Sequence, residues 1–267
     1  FCVLMRLGFK SMVKAGKVAA LVLQLYLVCI FSLHRRPLKE RLDYTHAWSS
    51  LILKAFGIAL VIDPQIDQAT SQPSSFLYVS NHLSWVDIVV IQAHTPCLFV
   101  SKKEVGSWPI LGKIAKSCGV IFVERESKKS MLDCIQAVAD HLKSGISVVV
   151  FPEGTSSPGF DRHVFQSNFF ESAIRAQSHV MPVSLSYRDA TSGDNCASIP
   201  YYGNMSFADS MLRVIQTKPT QAHLRVFDSV SHQGHSRKSL TRVSENCIND
   251  FRHPIEFLEN VQRPGAC

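Results

Sequence analysis

The sequence predicts an α/β protein: a mostly parallel sheet covered by helices, preceded by an N-terminal helical membrane anchor. Three observations predict it. After Gly57, short runs rich in Val, Ile and Phe alternate with stretches of helical periodicity, the rhythm of βαβ units. Runs such as Phe76-Leu77-Tyr78-Val79, closed by Ser80, are near-continuously apolar, as strands buried on both faces are. The first sixty residues break this rhythm and combine basic residues with long apolar stretches. With 267 residues there is material for one sizeable core plus an appendage. The expected division is residues 1–57 for membrane-associating helices and 58–267 for a catalytic domain.

At the N-terminus, Arg6, Lys10, Lys14 and Lys17 recur at helical spacing, with Phe1, Val3, Leu4, Leu7, Met12 and Val13 elsewhere. This describes an interfacial helix with a cationic side. From Val18 to Leu33 the chain is apolar for sixteen residues, interrupted by Gln24 and Ser32. At a helical rise this is about 24 Å, short of the roughly 30 Å hydrocarbon core, so it either spans with snorkelling ends or lies at the interface. His34-Arg35-Arg36-Pro37 follows in place of a small-residue cleavage site, so a signal peptide is not expected. Basic residues flank both ends and give no orientation. Leu38 to Phe56 gathers Leu42, Trp48, Leu51, Ile52, Ala55 and Phe56 near one side, which suits a core helix or a membrane-lying one.

Beyond Gly57, strands are expected near 58–62, 76–80, 98–101, 120–123, 146–151, 180–186 and 222–228. Helices are expected near 83–95, 104–117, 127–143, 166–177, 206–215 and 237–252. Asp189 to Pro200, rich in Ser, Asn, Asp and Gly, reads as a loop.

A formal charge of +7, 46% hydrophobic residues and a mean hydropathy of +0.09 suit an anionic membrane surface or an anionic substrate. No basic stretch is interleaved with stacking aromatics, so a nucleic-acid partner is not expected. The eight cysteines form no C-x-x-C pair and no disulfide-framework spacing, which points to reduced thiols. Oligomeric state is open.

Asn81-His82-Leu83-Ser84-Trp85-Val86-Asp87 places a base and an orienting carboxylate at the end of a strand. Near a helix N-terminus the dipole favours the neutral, proton-accepting ring of His82. Asp87 folding back to one ring nitrogen fixes the tautomer and stabilises the imidazolium formed at the other. Taken alone, His-x4-Asp also describes a helix-capping histidine beside a surface aspartate. Its company weighs against that reading. Gly119-Val120-Ile121-Phe122-Val123-Glu124-Arg125, Phe151-Pro152-Glu153-Gly154-Thr155 and Val180-Met181-Pro182-Val183-Ser184 all end or continue apolar runs with polar or special residues. In open α/β sheets, ligands collect at such strand ends.

In this order, NHLSWVD, GVIFVER, FPEGT and VMPVSL resemble the four motifs of the glycerolipid acyltransferases of the 1-acylglycerol-3-phosphate acyltransferase type, over about residues 58–230. The resemblance implies transfer of an acyl chain from acyl-CoA or acyl carrier protein to the hydroxyl of a lysophospholipid, without a cofactor. It also implies an anchor in one leaflet and an active site on the cytoplasmic face of a membrane, the bacterial inner membrane being the expected one. Matched motif by motif, His82 is the base, Asp87 its orienter and Lys102 the oxyanion candidate. Arg125, Glu153, Gly154 and Thr155 bind the acceptor. The residues leave alternatives: a solvated Lys102, an ion pair between Arg125 and Glu124, a helix-capping Glu153, and an N-cap role for Thr155. Pro182 is expected to shape the end of its strand.

One departure bears on the acceptor. Many family members carry an arginine directly after E-G-T, whereas Ser156-Ser157-Pro158-Gly159 follows here, and the next arginine is Arg162. Together with Tyr201-Tyr202-Gly203-Asn204-Met205-Ser206-Phe207, this resembles the branch that includes lyso-ornithine lipid acyltransferases. A lyso-aminolipid is therefore the alternative to 1-acylglycerol-3-phosphate, which Arg125, Glu153 and the basic charge favour. A thioesterase and an inactive membrane-bound scaffold are rivals of other classes. Gly106 to Lys113 imitates a phosphate loop but has five residues between its glycines, and Ile114 replaces the magnesium-binding hydroxyl. No G-x-S-x-G elbow serves a serine esterase, and the eleven histidines show no metal-binding spacing.

Overall fold

A computed structural model describes residues 8–63, 75–159 and 164–252. Phe1, Val3, Leu4, Arg6 and Leu7 of the expected cationic helix, and Arg162, lie outside the described residues. The remaining basic residues join the apolar run in one helix, α1 (Phe9–Phe31). A 3₁₀ turn, Leu33–Arg35, leads past Pro37 into α2 (Leu38–Phe56). Gly57, at φ 72°, closes α2 in the left-handed conformation that glycine adopts without steric cost. The chain then enters β1 (Ile58–Ile62) directly.

After β1 the chain alternates as the apolar runs require. β2 (Phe76–Ser80) leads to α3 (Val86–His94), then β3 (Leu98–Lys102). A 3₁₀ turn, Lys103–Ser107, precedes α4 (Leu111–Cys118) and β4 (Ile121–Val123). Next come α5 (Lys128–Lys143), β5 (Val148–Val150), α6 (Phe170–Ala176) and β6 (His179–Asp189). α7 (Phe207–Gln216), β7 (Thr220–Val226) and α8 (Arg237–Arg252) follow.

The sheet runs β1-β7-β6-β2-β5-β3-β4. From β6 to β4 all neighbours are parallel; β7 pairs antiparallel with β6 and parallel with β1. β2 is therefore central, and each of its residues is buried. Phe76 and Tyr78 face the cluster that α2 and α3 cover, while Leu77 and Val79 face the one that α5, α6 and α8 cover. Burial on both faces is why these strands carry no polar alternation.

Several expected boundaries shift. The helix expected over 104–117 splits, because Pro109 lacks the N–H a continuing helix needs and Trp108 turns extended. The helix expected from 83 begins at Val86, with 81–84 as a loop. β6 runs to Asp189, so Pro182 lies inside it and does not shape its end. Its missing N–H is tolerated there, since pairing with β7 begins only at Val183. The phosphate-loop look-alike is a packed corner: a Cβ on Gly112 would stand 2.5 Å from the Gly106 carbonyl oxygen.

α1 and α2 do not stand apart from the body. Val18, Ile52, Leu53 and Phe56 belong to the core cluster beneath the sheet, which gives α2 its core role. Lys14 Nζ donates to the Thr217 carbonyl at 2.9 Å, and Trp48 Nε1 donates to the Leu21 carbonyl at 3.1 Å. The outer side of α1 is apolar and open, with Leu23 57% and Phe31 69% exposed. By length and composition this helix is able to cross a membrane.

Candidate active site

Four parallel strands deliver the predicted residues to one edge of the sheet. His82 follows β2, Lys102 ends β3, Arg125 follows β4, and Gly154 and Thr155 follow β5. Because the strands run the same way, these are all carboxyl ends, the edge where open α/β sheets collect ligands.

The loop after β2 is held residue by residue. Asn81 replaces a ladder residue: its side-chain amide donates to the Leu185 carbonyl at 3.0 Å, and its oxygen accepts from Leu185 N–H at 2.8 Å. His82 Nδ1 lies 2.8 Å from Asp87 Oδ2. The same oxygen accepts from the N–H groups of Leu83 at 2.6 Å and Ser84 at 2.8 Å. Asp87 Oδ1 accepts from the Tyr187 hydroxyl at 2.6 Å. Asp87 is fully buried, and a carboxylate in that position needs these donors. Because an ionised carboxylate only accepts, Nδ1 carries the proton and Nε2 is the basic nitrogen.

Neighbouring segments fix the imidazole. Its ring stacks on Phe151 with centroids 4.0 Å apart and planes at 17°. Ser157 N–H donates to the His82 carbonyl at 2.9 Å, and Tyr201 N–H donates to the Leu83 carbonyl at 2.8 Å. The Ser156 hydroxyl closes the ring of contacts by donating to the Tyr201 carbonyl. Three loops thus meet around one histidine.

The remaining residues divide. Arg125 does not pair with Glu124, which bonds Lys103 at 2.8 Å; Arg125 Nη1 donates to the Gly154 carbonyl. Burial lowers the guanidinium's pKa, while Glu126 and Glu104 act the other way. Gly154, at φ 79°, takes a conformation that strains any side chain, and a Cβ there would lie 2.9 Å from Gln166 Nε2 and 3.5 Å from Arg125 Nη1. Lys102, Arg125, Gly154 and Thr155 line one cavity with His82. Glu153 is not among the cavity-lining residues: its Oε1 accepts from the His82 backbone N–H at 3.3 Å, and among the described residues no helix begins at this turn. Thr155 is no N-cap, because among the described residues no helix begins at this turn.

The cavity has a volume of about 880 Å³. Beyond its polar mouth it passes Trp85, Trp108 and Phe207 and continues between α1, α2 and α4, lined by Val22, Leu25, Trp48, Ile52 and Ile114. Asn81, Phe151, Tyr187 and Ser157 escaped sequence reasoning as site residues. Asn81 and Phe151 stand inside the quoted motifs, but Tyr187, a hundred residues from Asp87, has no local signal.

Comparison with known proteins assigns the class. Residues 64–186 match the Acyltransferase family, and with the relatives that follow this makes the protein an acyltransferase. It is 31% identical to the lyso-ornithine lipid O-acyltransferase of Pseudomonas aeruginosa, over 79% of this chain and 78% of that protein. It is 35% identical to the 1-acyl-sn-glycerol-3-phosphate acyltransferase of Neisseria meningitidis, over 62% of this chain and 64% of that protein. The chain belongs to the glycerolipid acyltransferase family these relatives represent. Its fold is also that of the 1-acyl-sn-glycerophosphate acyltransferase PlsC of Thermotoga maritima, with a TM-score of 0.56 at 19% identity, over 95% of this chain and 100% of that one.

Proposed function

We propose that the protein transfers a fatty acyl chain from a thioester, acyl-CoA or acyl carrier protein, to the free hydroxyl of a lysophospholipid at a membrane surface. The observation that carries this is His82, held through Nδ1 by a buried Asp87, at the mouth of a largely apolar cavity. His82 Nε2 takes the acceptor's hydroxyl proton as that oxygen attacks the thioester carbonyl. The carbonyl oxygen becomes an oxyanion, for which Lys102 and backbone N–H groups near the strand ends are the candidate donors. Collapse breaks the C–S bond, and the imidazolium returns its proton to the thiolate. No covalent enzyme intermediate is needed, because the thioester is already activated. The apolar chamber suits an acyl chain, and the exposed apolar side of α1 suits a bilayer. An active site on the cytoplasmic face of a bacterial inner membrane is part of this reading.

The favoured acceptor is 1-acylglycerol-3-phosphate, giving phosphatidic acid. Arg125 at the mouth supports it, as a guanidinium fork matches phosphate geometry. A lyso-aminolipid is the second reading, because Ser156 replaces an arginine and its hydroxyl is already engaged by the Tyr201 carbonyl. Thiol release from palmitoyl-CoA, with and without each lysolipid, tests both. Acceptor-dependent release supports transfer; acceptor-independent release means a thioesterase, and no release favours a scaffold. A preference for lyso-ornithine lipid over lysophosphatidate would overturn the first choice of acceptor.

A further inference from the structure

Three of the four groups that donate to Asp87 are local: His82 Nδ1 and the N–H groups of Leu83 and Ser84, all on Oδ2. The fourth comes from the opposite end of the catalytic sequence. Tyr187, in β6, donates its hydroxyl to Oδ1 at 2.6 Å. Asp87 is 0% exposed and Tyr187 4%. Burial, followed by the charge of Asp87, pushes the phenol well above its usual range, so it remains a donor at any working pH. Tyr187 is not among the residues lining the cavity.

We infer that Tyr187 is a positioning residue for acyl transfer, acting through the second oxygen of Asp87 to keep the carboxylate ionised and turned toward His82. The inference rests on His82 being the base. A carboxylate in a dry core with one oxygen unpartnered has two ways out: it rotates to find a donor, or it holds the proton itself. Either one takes from His82 the partner that fixes its tautomer. The Tyr187 hydroxyl closes both routes, and it does so from a strand anchored in the centre of the sheet.

The sign of the pH effect follows. In the proton-free dyad Asp87 bears a full negative charge, and the Tyr187 bond is strongest there. Once His82 is protonated, the imidazolium neutralises part of that charge and the same bond weakens. Removing the hydroxyl therefore destabilises the active, proton-free form more than the protonated one. The acid limb of the pH–rate profile moves to higher pH.

Tyr187→Phe, which keeps the ring, is expected to lower kcat about tenfold, leave KM for donor and acceptor within about twofold, and shift the acid limb upward. In an Asp87→Asn background the same change is expected to cost nothing further, since both act through one contact. Equal losses in both backgrounds, or a wild-type pH profile in Tyr187→Phe, would overturn the inference. As a second arm that leaves packing intact, 3-fluorotyrosine at position 187 makes a stronger donor and is expected to move the acid limb downward; an unmoved limb also overturns it. His82→Ala measured alongside keeps the two readings apart: near-normal activity there refutes the base, whereas an inactive His82→Ala with an unshifted Tyr187→Phe refutes only the role of Tyr187.

Discussion

The two ends of the cavity are built on opposite principles. At the mouth, position is set by hydrogen bonds: Asp87 receives four, Asn81 makes two to one residue of β6, and the His82 carbonyl and N–H are both engaged. In the chamber, the wall is side-chain packing among Val22, Leu25, Ile52 and Ile114, from α1, α2 and α4. Hydrogen bonds fix orientation to a few tenths of an ångström, which a proton transfer needs. Dispersion and apolar burial are non-directional, which suits the accommodation of a flexible chain. The contrast matches a reaction in which one bond must be placed and many methylenes must merely be kept dry.

The largest test of this contrast lies at the mouth. His82→Ala is expected to lower turnover by about two to four orders of magnitude with the fold intact, and Asp87→Asn to follow closely. Steady-state kinetics with a melting curve checks both, and a fully active His82→Ala enzyme would end the mechanism. Next comes the open side of α1. Replacing Leu23, Leu27 and Phe31 together by Glu leaves the buried Val18, Leu25 and Cys29 untouched. It is expected to move most of the protein from anionic vesicles to the supernatant in a flotation assay, with activity on soluble short-chain acceptor retained. Unchanged flotation would show that this surface does not hold the membrane.

A smaller effect is expected at Arg125. With lysophosphatidate as acceptor, Arg125→Ala should cost about 1.5–3 kcal/mol in acceptor kcat/KM, the scale for losing a hydrogen bond to a charged group, with donor KM unchanged. An equal loss with a phosphate-free acceptor would detach Arg125 from phosphate recognition. The smallest belongs to the chamber: Val22→Phe narrows it without touching a polar atom. It should reduce kcat/KM for palmitoyl donors by about tenfold relative to octanoyl ones, a few methylenes' worth of apolar contact. A uniform loss for all chain lengths would mean the acyl chain lies elsewhere.

The sheet and most helices were legible because their signals are local. Each strand carries its own apolar run, and Gly57 announces the end of α2. The dyad was legible for the same reason, as His82 and Asp87 share one loop and one turn. What escaped was non-local or a matter of direction. Tyr187 is joined to Asp87 only because β6 lies beside β2. Glu153 sits in a motif that marks its position, but the bond its Oε1 accepts from the His82 N–H depends on how two loops cross. The antiparallel entry of β7 likewise depends on which neighbour a strand finds, and no run of residues states that.

The convergence on Asp87 also makes one wall of the cavity costly to move. Lifting the loop after β2 would strand a buried carboxylate and forfeit several bonds to a charge, each worth about 1.5–3 kcal/mol. That loop is therefore the cavity's fixed wall, the part a bound chain must fit rather than reshape.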